Sequence, residues 1–235
     1  MLVAKSSSEL DFSLAYSYLC GMKLRTVIYS LLLATLCMGC GGHGHMRQLE
    51  QLEAQLDTAP DAVRLALDSI PFASLGDEER ALYAILRTQA DYKCYVPFTT
   101  DTLIRYATNY YNRNRKSYRA AMAWYSLGCV YTELRDDVNA IHAYLQAKSF
   151  FPDTTTKYHA YCNQNLGGHY MNRNMFDEAL TALEAFDKVA ISESYDKEIR
   201  VASRLEVARI YMHKGLPEMA ELTLKDAFQE SLCID

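Results

Sequence analysis

The side chains best suited to chemistry in this 235-residue chain are seven cysteines and six histidines, and their spacing argues against most of what they could do. Cys37 and Cys40 have the Cys-x-x-Cys spacing of a dithiol redox pair. They follow an apolar run rather than a strand, so the spacing reads as part of an export segment. Cys94, Cys129, Cys162 and Cys233 lie far apart in no pairing pattern, and no disulfide framework is implied. Cys129 and Cys162 sit inside helical patterns and read as small packing residues. His142, His159, His169 and His213 do not pair on one helix face, and no His-Glu-x-x-His occurs, so no metal site is expected. Gly41-Gly42-His43 would chelate Cu(II) or Ni(II) only if a free amine began at Gly41; otherwise it is a solvated tether. Neither Gly-x-Ser-x-Gly nor a phosphate-binding loop is present. The residues therefore point to a non-enzyme without a cofactor.

Lys23 and Arg25 precede the apolar run Val27–Leu36, which is too short to span a bilayer comfortably, and small residues then lead to Cys40. Residues 22–40 resemble a bacterial lipoprotein signal peptide, which implies lipidation of Cys40. The segment departs from that pattern in having Cys37 where Leu is usual, with Leu36 one position further back. Ordinary signal cleavage and an uncleaved anchor are the alternatives. Glu9 and Asp11 do not suit a basic leader, so residues 1–21 read as an over-extended start and Met22 as the better one. Residues 41–46 form a flexible tether to a helical domain over 47–235.

What remains is dominated by a repeat. Trp124, Leu127, Gly128, Tyr131, Ala140, Tyr144 and Ala147 are followed in register by Leu166, Gly167, Tyr170, Ala179, Leu183 and Phe186. Val207, Ala208, Tyr211, Ala220, Leu224 and Ala227 form a third set. Tyr131 and Tyr170 are 39 residues apart, as are Ala140 and Ala179; the next offsets are both 41. Agreement at several positions at once marks a structural unit. Apolar residues three or four apart predict two helices per unit, with Arg135-Asp136-Asp137 as the turn and Asp as a cap. Gly128 costs about 1 kcal/mol in mid-helix relative to Ala. A close helix approach, with Ala140 facing it, is the expected compensation, and Trp124 is expected to anchor the core. Units are expected near 121–154, 160–193 and 201–235, with a degenerate one near 78–112. Met46–Leu56 and Asp61–Ile70 are expected to form an opening hairpin.

These residues resemble the tetratricopeptide repeat (TPR) family over roughly 78–230, and with the front of the chain they are similar to exported TPR lipoproteins of Bacteroidetes-type bacteria. The resemblance implies an all-α fold, about ten helices in antiparallel hairpins stacked as a solenoid. The period is longer than the usual 34, and Asn163 and Arg204 stand where the first unit has Trp124. By the resemblance, first helices line a groove. Met122, Tyr125, Cys129 and Thr132 are then its lining from the first unit. Tyr161, Gln164, Asn165, Gly168 and Met171 come from the second, and Leu205, Arg209 and Met212 from the third. Tyr125 and Cys129 replace the Lys and Asn with which some members clamp a peptide carboxylate. The expected role is a protein-interaction scaffold in the cell envelope, lipid-anchored at the outer membrane facing the periplasm, with a protein or peptide partner. The alternative is the sensory part of a truncated transmembrane transcriptional regulator.

Charge agrees with a protein partner. Without residues 1–40 the chain has 21 basic and 27 acidic side chains, net −6, which disfavours nucleic acid. Arg113, Arg115, Lys116 and Arg119 read as a solvated connector. Tyr110–Tyr111 and Tyr158–Tyr161 are candidate surface anchors among 18 tyrosines. The oligomeric state is left open.

Overall fold

Ten helices, joined by turns of a few residues, account for most of the chain described by the computed structural model, which covers residues 44–112, 117–192 and 197–232, with backbone alone at 190–192. The leader, signal segment, Cys40, the Arg113–Lys116 connector and Cys233 lie outside those residues. Two units divide the chain, 1–47 and 48–235. Of the first, only residues 44–47 are described, a turn entering a helix.

The helices are α1 Met46–Gln55, α2 Pro60–Asp68, α3 Asp77–Lys93, α4 Thr102–Tyr111, α5 Tyr118–Glu133 and α6 Asp137–Phe150. They continue as α7 Lys157–Asn172, α8 Phe176–Ser192, α9 Lys197–His213 and α10 Pro217–Ser231. No strand occurs among the described residues. The expected units are the pairs α3–α4, α5–α6, α7–α8 and α9–α10, each packed against its neighbour in sequence, and α3, α5, α7 and α9 also touch in succession.

Local chemistry sets the boundaries. Ser117 caps α5 by accepting from the Ala120 N–H at 3.1 Å, and Asp136 caps α6 by accepting from the Asn139 N–H at 3.1 Å. Thr156 does the same for α7 at His159. Pro60 and Pro217 open α2 and α10, where a missing N–H costs no helix bond. Each turn between first and second helix passes through one left-handed residue: Tyr95, Arg135, Asn174 and Gly215. The last three keep the 39- and 41-residue offsets.

The expected close approach at Gly128 is present, but the facing residue differs. A Cβ at Gly128 would lie 2.5 Å from the Tyr144 ring, and one at Gly167 would lie 2.5 Å from Leu183. Ala140 is buried nearby without being the group that needs the glycine. Tyr144 is fully buried, with its ring centroid 5.8 Å from those of Tyr125 and His169. Trp124 is only half-buried, edge-on to His142 and tilted against Phe150, so it flanks the core that Tyr144 anchors.

The expected opening hairpin is not a close pair: α1 does not pack along α2. Instead Arg119 at the start of α5 holds Glu50 and Glu53 of α1, at 3.3 and 2.8 Å. The α2 helix lies on α3, where Arg64 meets Asp91 at 3.0 Å and the Tyr83 hydroxyl donates to the Leu67 carbonyl.

Cys129 and Cys162 are fully buried, as packing residues should be. Burial pushes the Cys129 thiol up to about 11, so it stays protonated at neutral pH. Burial, and secondly Lys148, lower the His159 imidazole below its ordinary value. The fold therefore holds His159 neutral, and the unfolded chain takes the proton first. Stability is expected to fall once the pH drops below about 6.5, by up to about 1.4 kcal/mol per pH unit until the lowered folded value is reached. Urea midpoints at pH 7.5 and 5.5 should separate for the native chain and converge for His159→Gln.

Candidate functional site

Two adjoining cavities open on the side lined by first helices, and they share Gln164 and Asn165 of α7. The larger, about 480 Å³, lies among α3, α5 and α7. Its walls are aromatic: Tyr92 and Tyr95, Tyr125, Tyr158 and Tyr161. Gln89, Lys93, Glu133 and Lys157 add polar groups. The smaller, about 340 Å³, lies between α7 and α9 and is amide-rich, with Asn172, Ser203, Glu206 and Arg209 beside the shared pair.

One end of the larger cavity is electrostatically organised. Lys93 reaches Asp57 at 3.1 Å and Lys157 reaches it at 3.6 Å, while the Tyr158 hydroxyl donates to the same carboxylate. Burial alone would raise the Asp57 carboxyl, but the Tyr158 hydroxyl and the two ammoniums outweigh it and hold it low. Both ammoniums also lie over aromatic faces, Lys93 at 6.0 Å from the Tyr158 centroid and Lys157 at 5.5 Å from that of Tyr161. Burial, then Asp57, push the Tyr158 phenol far up, so it remains a donor.

At the floor of the smaller cavity, His169 Nδ1 lies 2.7 Å from Asp137 Oδ1 and Nε2 lies 2.8 Å from Thr132 Oγ1. A carboxylate, an imidazole and a hydroxyl in this order is also the order of a hydrolase triad. Here the Thr132 hydroxyl donates to the Gly128 carbonyl at 2.9 Å and lies 3.0 Å from the Tyr144 hydroxyl. It is engaged within its own helix, so the chain of contacts ties α5 and α6 to α7. The His169 bond, the largest influence, holds the Asp137 carboxyl below its ordinary range. Ser203 Oγ is buried without a hydrogen-bond partner. No group of three or more His, Cys, Asp and Glu able to hold a metal occurs among the described residues.

The expected groove residues separate into two sets. Tyr125, Tyr161, Gln164 and Asn165 line the larger cavity, and Thr132, Gly168 and Arg209 join the shared amides in the smaller. Met122 and Cys129 are buried at 4 % and 0 % exposure and offer a ligand no surface; Cys129 lies against Gln89 of the preceding unit, 3.9 Å from its Nε2, and against Tyr144 of its own. Met171 is likewise buried against α9. Leu205 and Met212 are exposed but border neither cavity. Tyr111 and Tyr158, expected at the surface, are buried, while Tyr110 is exposed. Sequence reasoning missed Lys93, although it stands 39 residues before Thr132 and so in the same position of the preceding unit.

Tyr95 is a rim residue of particular interest. It is 94 % exposed and has φ of +56°, a conformation unfavourable for an aromatic residue. Tyr95→Gly should therefore stabilise the chain by about 1 kcal/mol in urea denaturation. A loss of stability would show that the ring is held by contacts stronger than its strain.

No protein-family model matches the chain, and no curated protein does. Solved structures do. The crystal structure of MamA superposes with a TM-score of 0.55 at 18 % identity, over 79 % of this chain and 89 % of that one. BtubC (BKLC) from P. vanneervenii superposes with a TM-score of 0.56 at 14 % identity, over 97 % and 92 %. Both are TPR-like helical-repeat proteins. This chain has a TPR-like helical-repeat fold. At such identities the likeness speaks for architecture, and within a TPR-like solenoid the two cavities lie on the side where first helices meet.

Proposed function

We propose that this TPR-like chain is a protein-interaction scaffold that seats a segment of a partner in the groove formed by the two cavities. The observation that carries this reading is their continuity through Gln164 and Asn165, which joins an aromatic wall to a row of side-chain amides. Side-chain amides both donate and accept, which matches the alternating groups of an extended peptide backbone. Tyrosine adds large contact area with few rotors to immobilise. Peptides selected from a random displayed library on the full chain should compete for one site and bind Gln164→Ala about fivefold more weakly. Undiminished affinity for that variant would place the contact elsewhere.

The same proposal sets the scaffold in the cell envelope, anchored by lipid on Cys40. Its support is the order of Lys23 and Arg25, the apolar run Val27–Leu36 and the small residues before Cys40. No helix among the described residues is long and apolar enough to cross a membrane. Intact mass after expression in a Gram-negative host is expected to match a chain that starts at an acylated Cys40. A mass retaining Met1 or Met22 would remove the lipid anchor from the account.

A further inference from the structure

The larger cavity is polarised along its length. At one end two ammoniums share the single carboxylate of Asp57 and rest on the rings of Tyr158 and Tyr161. At the other end stand Tyr92, Tyr95 and the carboxylate of Glu133, the last residue of α5. Glu133 is exposed and makes no ion pair among the described residues. It lies near enough to the Tyr92 phenol to help raise it, after the Cys129 thiol and burial. The cavity thus shows one filled arrangement, ammonium over tyrosine with a carboxylate beside it, and a second arrangement with rings and carboxylate but no cation.

The rim residue strengthens the contrast. The three residues that occupy the corresponding left-handed turn position in later units are Arg135, Asn174 and Gly215. Asn and Gly adopt that conformation readily and Arg does not; the α3–α4 unit places a nearly fully exposed tyrosine there, at a cavity edge. An aromatic ring kept in an unfavourable backbone conformation, with no burial to compensate, suggests a role in recognition.

We propose that this end of the groove seats a Lys or Arg side chain of the bound segment, between Tyr92 and Tyr95 and with Glu133 as its counter-ion. The inference rests on the groove being the recognition surface and adds the chemistry of what enters it. Charge complementarity argues for a basic residue here: the ring faces attract a cation, and Glu133 supplies the carboxylate that Asp57 supplies at the other end. The excess positive charge around Lys93 and Lys157 repels a second cation there and so fixes which end the basic residue takes. Specificity then arises from one carboxylate without its own cation, in a groove whose other charged groups, Lys93 and Lys157 at Asp57 and Arg209 at Glu206, are already paired.

The test uses the full chain with 13C-labelled tyrosine and three blocked pentapeptides, acetyl-Gly-Ser-X-Ser-Gly-amide with X as Arg, citrulline or Glu. Citrulline keeps the shape of arginine and removes its charge. The Arg peptide should shift the Tyr92 and Tyr95 ring signals and bind about tenfold more tightly than the citrulline peptide. That preference should shrink with added salt. Glu133→Gln should remove most of it while leaving the thermal midpoint unchanged, and Tyr95→Gly should weaken it. Equal affinity of the Arg and citrulline peptides at the same rings would overturn the charge assignment and leave the groove intact. Shifts confined to Tyr170, on the second-helix side, or no shift with any peptide, would overturn the assignment together with the groove reading.

Discussion

Tyr144→Ala is expected to destabilise the chain by about 3–5 kcal/mol, the largest effect of any single truncation in the middle units. Its side chain is fully buried, packs against Tyr125 and His169, and has its hydroxyl 3.0 Å from Thr132 Oγ1. Its ring also occupies the space that Gly128 leaves open. Gly128→Ala alone should cost about 1–3 kcal/mol through overpacking, despite the better helix propensity of alanine. In the Tyr144→Ala background the added methyl meets no ring, so the same substitution should become neutral or favourable. A double-mutant cycle by urea denaturation reads this change of sign. Additive costs in the cycle would mean that the ring does not determine the need for glycine. The corresponding pair, Gly167 and Leu183, should couple less, because a leucine can rotate away where a clamped tyrosine ring cannot.

The second large effect concerns binding. Tyr161→Ala is expected to weaken a groove-selected peptide by about 30-fold, the loss typical of a central aromatic anchor. Tyr161 lines the larger cavity beside Tyr158 and under the Lys157 ammonium, so its removal takes away one of the two rings on which that ammonium rests. Because Tyr161 also packs on the core, the loss has to be separated from unfolding. Gln164→Ala provides the control. Gln164 borders both cavities and belongs to none of the three core clusters, and its truncation should weaken binding about fivefold with little change in thermal midpoint. If both variants bind as the native chain does, the cavities are not where the partner sits.

The helices were legible because their signals are local. Ala140, Ala179 and Ala220 recur in register with Tyr131, Tyr170 and Tyr211, and each residue of the alanine series is buried. A small residue in phase with an apolar stripe is a statement about helix packing that needs no distant partner. The 39- and 41-residue offsets carried the hairpins into the degenerate α3–α4 pair. What the sequence left hidden depends on which elements meet. Trp124 has the composition of a core anchor, yet the neighbouring second helix reaches it only at its edge. Met122 and Cys129 lie on first helix α5 yet are buried, Cys129 against Gln89 of the preceding unit, and one sequence position cannot say how closely a neighbouring unit packs. The opening pair was inferred from spacing alone, whereas α1 is held by Arg119, over 60 residues away. The Asp137–His169–Thr132 contact likewise joins residues of separate units. Lys93 was within reach of the repeat logic, since carrying the lining back one unit from Thr132 arrives at it.

A competing depression of about 350 Å³ lies on the second-helix side, bordered by Leu145, Lys148, Tyr170 and Thr181. Its walls come from α6, α7 and α8, and burial lowers the Lys148 ammonium there. It draws on two units where the groove draws on four, and it lacks the aromatic wall of the groove. It is nevertheless the place a partner would occupy if the groove reading is wrong. The measurement that separates the two most directly is hydrogen exchange of the full chain with and without a library-selected peptide, read by mass spectrometry at peptide resolution. The account predicts slowed exchange in α5, α7 and the turn at Tyr95, with α6 and α8 unchanged. Protection centred on α6 and α8 would contradict it.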